Sequence, residues 1–159
     1  MPMIKPLRES LYMHHAAMIP DFSYEFDFVN ISKYDAILSD KNSTKVIQVL
    51  VATTTVDHTP VAYSLAKIDS GNNAELDSLF VKKEYRGKGL AVELSQKAID
   101  WMALHHPIHI SVRILPNNDV AKALYEKLGF KPRSLIMRIK DDNKAMHTDG
   151  SSAVLHSRR

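Results

Sequence analysis

The stretch "EYRGKGLAVEL", Glu84 to Leu94, gathers the residue types best suited to hold an anion. The chain has five glycines in 159 residues, and two of them, Gly87 and Gly89, stand one residue apart here. Arg86 precedes them and Lys88 separates them. A β-rich stretch runs into this turn, and an apolar pattern of helical spacing runs out of it. Strand, glycine turn and helix make a general anion-binding device. A helix N-terminus leaves backbone N–H groups without intrahelical partners and adds partial positive charge. Glycine lets that backbone come close to phosphate oxygens. The turn therefore reads as a phosphate or pyrophosphate site, against a purely structural strand-to-helix turn. A P-loop is ruled out, because Gly89 is followed by Leu90 and Ala91 and not by Lys and Ser/Thr. A dinucleotide fingerprint fits at Gly87 and Gly89 but has Val92 in its third glycine place.

The elements that must position this turn can be read from periodicity. Residues 9–19 have helical spacing, with Leu11, His15 and Met18 on one face and Pro20 closing the segment. A weaker helical pattern covers 29–41. The β-branched runs 45–57, 61–69 and 74–83 read as three strands of an antiparallel meander, with "SGNN" as a hairpin connection. From Gly89, the positions Leu90, Leu94, Ala98, Trp101 and Met102 predict a helix to about His105, ended by Pro107. Residues 108–115 alternate as a strand. "DVAKALYEKL" is a short amphipathic helix with Val120, Ala121, Leu124 and Leu128 as its buried stripe, and Gly129 as its C-cap. "FKPRSLIMRIK" reads as a last strand, bent or at an edge because of Pro132. The expectation is one domain over 1–140 and a disordered tail over 141–159. The fold class is α/β (α+β): a mixed, mainly antiparallel sheet flanked by helices, in the order helices-β-β-β-α-β-α-β.

Two blocks of this pattern resemble the GNAT acetyltransferase superfamily. "VKKEYRGKGLA", Val81 to Ala91, is similar to its acyl-CoA signature Q/R-x-x-G-x-G/A, with Arg86, Gly89 and Ala91 in the three places. "NDVAKALYEKLGF" resembles the family block N-x-x-A-x-x-L-Y-x-K-x-G-F at Asn118, Ala121, Leu124, Tyr125, Lys127, Gly129 and Phe130. The 32 residues from Arg86 to Asn118 leave room for one helix and one strand. The resemblance covers about residues 45–140 and implies a GNAT-like fold.

It also implies acetyl-CoA as co-substrate, with its pyrophosphate on the backbone N–H groups of Gly87, Lys88, Gly89, Leu90 and Ala91. Arg86 and Lys88 would add charge, and Lys82, Lys83 or Lys122 could reach the 3′-phosphate. Acyl transfer to an amine has three needs. The amine must lose a proton, because a lysine-like amine with a pKa of roughly 10.4 is mostly charged at neutral pH. Glu75 and Asp77 share a strand face, being two apart. The resemblance favours Glu75, six before Val81, as the base. The oxyanion needs donors, which the resemblance places at the backbone of Leu79, Phe80 and Val81. The departing thiolate needs a proton, and Tyr125 matches the family's general acid. Asn118 could cap the helix begun at Asp119, bond the pantetheine arm, or both.

Composition narrows the rest. There is no cysteine, which excludes disulfides and thiolate catalysis. The histidine clusters His14–His15 and His105, His106, His109 read as helix-end histidines, which are commoner than a metal site, so no metal is expected. No apolar run suits a signal peptide or a membrane span, so the expected location is cytoplasmic, with no membrane partner. Nothing resembles a nucleic-acid-binding pattern. Residues 21–40 carry Asp21, Glu25, Asp27, Asp35 and Asp40 against Lys33, a net of −4, while 82–97 carry a net of +3. That asymmetry suggests an anionic cofactor and a cationic amine acceptor, such as a polyamine, a lysine side chain or an aminoglycoside-like molecule. Protein N-terminal acetylation and a homodimer stay open. The reading is an acetyl-CoA-dependent N-acetyltransferase acting on a primary amine by direct attack. The alternative is a non-catalytic acyl-CoA-binding sensor or scaffold of the same fold.

Overall fold

A computed structural model describes residues 2–26, 32, 36, 38–40 and 42–139. Most of the predicted helical stretch 29–41, and all of the tail 141–159, lie outside the described residues. Helix α1 spans Lys5–Met18. It begins earlier than its apolar spacing suggested, because Pro6 sits in the first turn, where a missing N–H is harmless. Strands β1 (Thr44–Thr53), β2 (Pro60–Asp69) and β3 (Ala74–Val81) form the antiparallel meander, and β4 (Ile110–Val112) adds parallel to β3. Helix α2 (Leu90–Ala103) connects β3 to β4, and α3 (Asp119–Lys127) follows β4. Among the described residues, no helix is long and apolar enough to cross a membrane.

The sheet is covered on both sides. Ile4, Leu7, Leu11 and Leu38 pack on Tyr63, Leu65 and Phe80. On the other face Ala98 and Met102 of α2, and Tyr125 of α3, pack on Ala66, Ile68 and Leu76. Alternation along β2 explains the division, since odd residues face α1 and even ones face α2. Strand β3 breaks that rule. Leu65 opposes Ser78, but Ala66 opposes Leu76, so Asp77 is an extra residue, a β-bulge. Leu76 therefore faces α2 while Phe80, an even step further on, faces α1.

Two expectations change. The strand predicted over 108–115 is paired only at Ile110–Val112. The last predicted strand, "FKPRSLIMRIK", is absent: residues 131–139 are exposed and form no strand among the described residues. Pro132 offers no N–H to a ladder, and β4 presents only three residues to pair with. Leu135, Ile136, Met137 and Ile139 are exposed, and the segment is held at Arg138, whose guanidinium lies 2.6 Å from Glu25 Oε1.

The end of α3 is tightly specified. Phe130 N–H donates to Tyr125 O (3.0 Å) and Gly129 N–H to Glu126 O (3.1 Å), the paired bonds of a Schellman motif. Gly129 has φ +94°, and the Phe130 ring meets the Tyr125 ring edge-on at 5.7 Å. The "GF" of the sequence block thus fixes the helix end and packs the Tyr125 ring. A side chain at Gly129 would meet no atom within 4 Å, so its cost is conformational. Gly129→Ala is expected to destabilise the chain by about 1–2 kcal/mol, read as a lower urea midpoint with unchanged m-value.

Candidate functional site

The pairing of β3 with β4 stops at Leu76 and Val112, although β3 continues to Val81. Between the parted strands lies a cavity of about 490 Å³. Five elements wall it: α1, the second half of β3, the glycine turn with the start of α2, the chain after β4, and the first turns of α3. Pro116 follows that chain and offers no N–H for a ladder beyond Leu115.

The glycine turn opens into this cavity. Gly87 (φ +75°) and Gly89 (φ +81°) both adopt left-handed backbone, and a Cβ on either would meet nothing within 4 Å. The two glycines are required by conformation, and the space in front of them is open. The first backbone hydrogen bond of α2 is Glu93 N–H to Gly89 O (3.0 Å). Leu90, Ala91 and Val92 therefore keep N–H groups without intrahelical partners, and no side chain caps them. These orphan donors, at the positive end of a fourteen-residue helix, suit an oxyanion such as a pyrophosphate.

The basic residues around the turn behave differently from one another. Arg86 Nε donates to Val81 O (3.0 Å), and its guanidinium lies over the Phe80 ring. Arg86 thus ties the turn back onto the end of β3. Lys88 lies over the Tyr85 ring at 5.1 Å and, unlike its neighbours in the turn, is not part of the cavity wall.

Leu79, Phe80 and Val81 all line the cavity, but their backbone groups do not all face it. Lys82 N–H bonds Val61 O across to β2 (2.9 Å), and the register pairs Phe80 with Tyr63. Alternation then turns Phe80 N–H toward β2, and those of Leu79 and Val81 toward the gap. The bond from Arg86 to Val81 O, on the open side, agrees. Asn118 also lines the cavity, and its Oδ1 accepts from Ala121 N (3.0 Å), capping α3. Its amide nitrogen is left for a ligand.

Tyr125 lines the cavity from α3 and is 5% exposed. Burial pushes its phenol pKa upward, so it stays protonated at neutral pH. Val120 differs from the predicted buried stripe. It is 84% exposed, because the first turn of α3 stands at the cavity mouth.

The two carboxylates of β3 are shared with cations. Lys67 Nζ lies 2.9 Å from Asp77 Oδ1 and 3.1 Å from Glu75 Oε2. Arg113 Nε lies 2.6 Å from Glu75 Oε1. Both oxygens of Glu75 are thus engaged, and Glu75 is not part of the cavity wall, whereas Asp77 is. Asp77 is the only carboxylate in that wall among the described residues. Lys67, invisible to motif reasoning, organises the pair.

Opposite β3, α1 contributes Leu11, His14, His15 and Met18. The helical spacing of Leu11, His15 and Met18 placed them on one face, but nothing in the sequence aimed that face at a site. His15 packs edge-on against Phe26 at 5.3 Å. Burial, then the neighbouring His14, lowers its pKa from 6.5 to about 4, so it is uncharged at neutral pH.

Comparison with known proteins follows the same lines. A sequence model described as the acetyltransferase (GNAT) family matches residues 11–130. The chain is 36% identical over 63 residues to N-acetylaspartate synthetase of Xenopus tropicalis, covering 40% of this chain and 23% of that protein. It is 38% identical over 52 residues to N-alpha-acetyltransferase 30 of Schizosaccharomyces pombe, covering 33% and 35%. The chain therefore spans about a third or less of the length of these relatives. A crystal structure of a mutant BH1408 protein from Bacillus halodurans superposes with a TM-score of 0.66 at 20% identity, covering 87% of this chain and 91% of that one.

Two outcomes follow from the charged groups. Lys67→Ala leaves Glu75 and Asp77 facing each other without their shared ammonium, and is expected to cost about 3 kcal/mol in urea unfolding. His15 has a depressed pKa in the fold, so below 6.5 the unfolded chain binds a proton that the folded one refuses. Its contribution is complete above pH 6.5 and is lost as pH falls toward 4. His15→Leu should flatten that acid limb when urea midpoints are compared between neutral and acidic pH.

Proposed function

As the chain belongs to the acetyltransferase (GNAT) family, we propose that it moves an acetyl group from acetyl-CoA to a primary amine by direct attack. The observation that carries this is a convergence. The orphan N–H groups of the glycine turn, the open edge of β3 and the Tyr125 phenol all meet in one cavity. An anion cradle, an oxyanion site and a proton donor are what thioester aminolysis requires.

In this reading the pyrophosphate of CoA rests on the backbone of Gly87 to Ala91. Arg86 holds the cradle in place through Val81 O, and Lys88 adds charge beside it. The thioester arm runs along the gap between β3 and β4, where Asn118 Nδ2 can donate to it. The amine nitrogen attacks the carbonyl carbon, and the carbonyl oxygen takes negative charge. Leu79 and Val81 N–H groups face that oxygen, while Phe80 packs beneath it through its ring. As the C–S bond breaks, the Tyr125 phenol gives its proton to sulfur. The amine gives up its extra proton, and the phenolate recovers one from solvent, so the protons balance. Of the two carboxylates of β3, Asp77 meets the incoming ammonium. Glu75 acts behind it, holding Lys67 and Arg113.

Calorimetry with CoA tests the cradle, and thiol release with acetyl-CoA and an amine tests the reaction. Tyr125→Phe is expected to lower kcat about a hundredfold, the usual scale for a lost general acid, with CoA affinity unchanged. Normal turnover in Tyr125→Phe would remove the proton-donor role. Tight CoA binding without turnover on any amine would favour a binding module over an enzyme.

A further inference from the structure

The wall that faces the acceptor says which amine it suits, and this step rests on the acetyltransferase reading above. Leu11 and Met18 from α1, Phe80 from β3 and Leu115 after β4 give that wall an apolar part, and Arg86 and Arg113 are its cations. Asp77 is its only carboxylate among the described residues. Among the described residues of 21–40, the acidic side chains do not add to it. Glu25 is held by Arg138, and Asp40 accepts from Asn42 and Ser43; neither lines the cavity. A polyamine or aminoglycoside would bring several cations to a wall with one carboxylate.

Among the described residues, the carboxylates beside this wall are already held by cations, and its imidazoles are those of His14 and His15. Glu75 spends both oxygens on Lys67 and Arg113. Asp77 Oδ1 holds Lys67, and would have to loosen an ion pair to take a proton. His15 is held uncharged by burial, and no hydrogen bond to its ring nitrogens occurs among the described residues. A neutral imidazole can accept an N–H from an amine and aim its lone pair without repelling it. It cannot strip a proton from a strongly basic amine. Such a site favours a nucleophile that arrives largely unprotonated. At pH 7 roughly one α-amine in ten is free base, against fewer than about one lysine amine in a thousand.

We propose that the acceptor is an α-amine borne on an apolar residue, either a peptide amino terminus or a small amino-acid amide, and that His15 contacts that amine. The apolar side chain lies against Leu11 and Met18, and the Asp77 carboxylate stays paired with Lys67 beside it. The proton leaves the α-amine for water, so no ion pair has to open.

The test begins by loading the full chain with CoA and confirming saturation by calorimetry; failure there strikes the acetyl-CoA reading and not this one. Four probes are then titrated into the loaded protein and assayed for thiol release with acetyl-CoA. They are a tetrapeptide amide beginning with two apolar residues, leucinamide, an N-blocked peptide whose only amine is a lysine side chain, and spermidine. The two α-amines are expected to give kcat/KM about a hundredfold above the lysine peptide, following their free-base fractions. The better of the two tells a peptide acceptor from a small one. His15→Ala is expected to raise the α-amine KM about tenfold, the scale of one lost hydrogen bond, with CoA affinity unchanged. His15→Gln, which keeps a neutral acceptor, should restore most of it. Equal or better turnover of the lysine peptide or spermidine, or no α-amine binding to the CoA-loaded chain, overturns the proposal. An unchanged KM in both His15 variants overturns the role of His15.

Discussion

The site depends on β3 and β4 parting after three paired residues, at Leu76 and Val112. Had the parallel ladder continued, the N–H groups of Leu79 and Val81 would be spent on β4, and no cavity would exist. Two local features drive the separation. The bulge at Asp77 turns β3 away from its regular course. On the other side Pro116 withholds a donor and Asn118 N–H bonds back to Leu115 O, so the chain bends toward α3 beyond Leu115 and cannot run on along β3. The ion pair of Arg113 with Glu75 spans the two strands next to the last paired residues and limits how far they spread. The cost is a set of backbone groups left without sheet partners, which a ligand in the gap can satisfy.

Two helices point their N-termini at this gap, and they differ in a way that assigns their roles. Helix α3 begins at Asn118, whose side chain bonds Ala121 N and consumes a free donor. Helix α2 begins at Gly89, which has no side chain to offer, and its first N–H groups stay open. An anion gains most where donors are unspent, so the charged part of a ligand belongs at α2. In the proposed reading Asn118 serves a neutral part, with only its amide nitrogen to give. The glycines matter twice, since they supply the left-handed turn and leave the end of α2 uncapped.

Much of this arrangement was legible in the sequence because it is local. The turn at Gly87–Gly89, the cap at Asn118 and the end at Gly129 are set by residues within a few positions of one another. The meander followed from β-branched periodicity. What could not be read depends on contacts distant in sequence. The face-sharing of Leu11, His15 and Met18 was visible, but its destination across from β3 was not. The preference for Glu75 over Asp77 rested on motif spacing, and only the pairing with Lys67 and Arg113 distinguishes their surroundings. Phe80 was grouped with Leu79 and Val81 because a backbone role has no side-chain signature; the register with Tyr63 separates it. The last predicted strand shows the opposite limit. Residues 131–139 have the composition of a strand, but pairing needs a neighbour, and the described part of β4 is three residues long.

Burial acts on two titratable side chains of the cavity, Tyr125 and His15, in opposite directions on the pH scale, yet with one chemical result. It raises the Tyr125 phenol and lowers the His15 imidazole, and each is thereby kept in its neutral form near pH 7. A neutral phenol is a proton donor, and a neutral imidazole is a lone-pair acceptor. Tyr125 stands on α3 and His15 on α1, so the cavity has a donor on one wall and an acceptor on another. Acyl transfer needs that polarity: hydrogen must leave nitrogen on the amine side and arrive at sulfur on the thioester side. Fixed charges at these positions would work against it, because a phenolate could not protonate a thiolate and an imidazolium would repel an ammonium. Lys67 and Glu75 stand behind Asp77, and with Arg113 at the cavity wall these charges compensate one another. In the proposed reaction such a site responds to the charge that develops on the carbonyl oxygen and on the sulfur, in a medium where such interactions are strong.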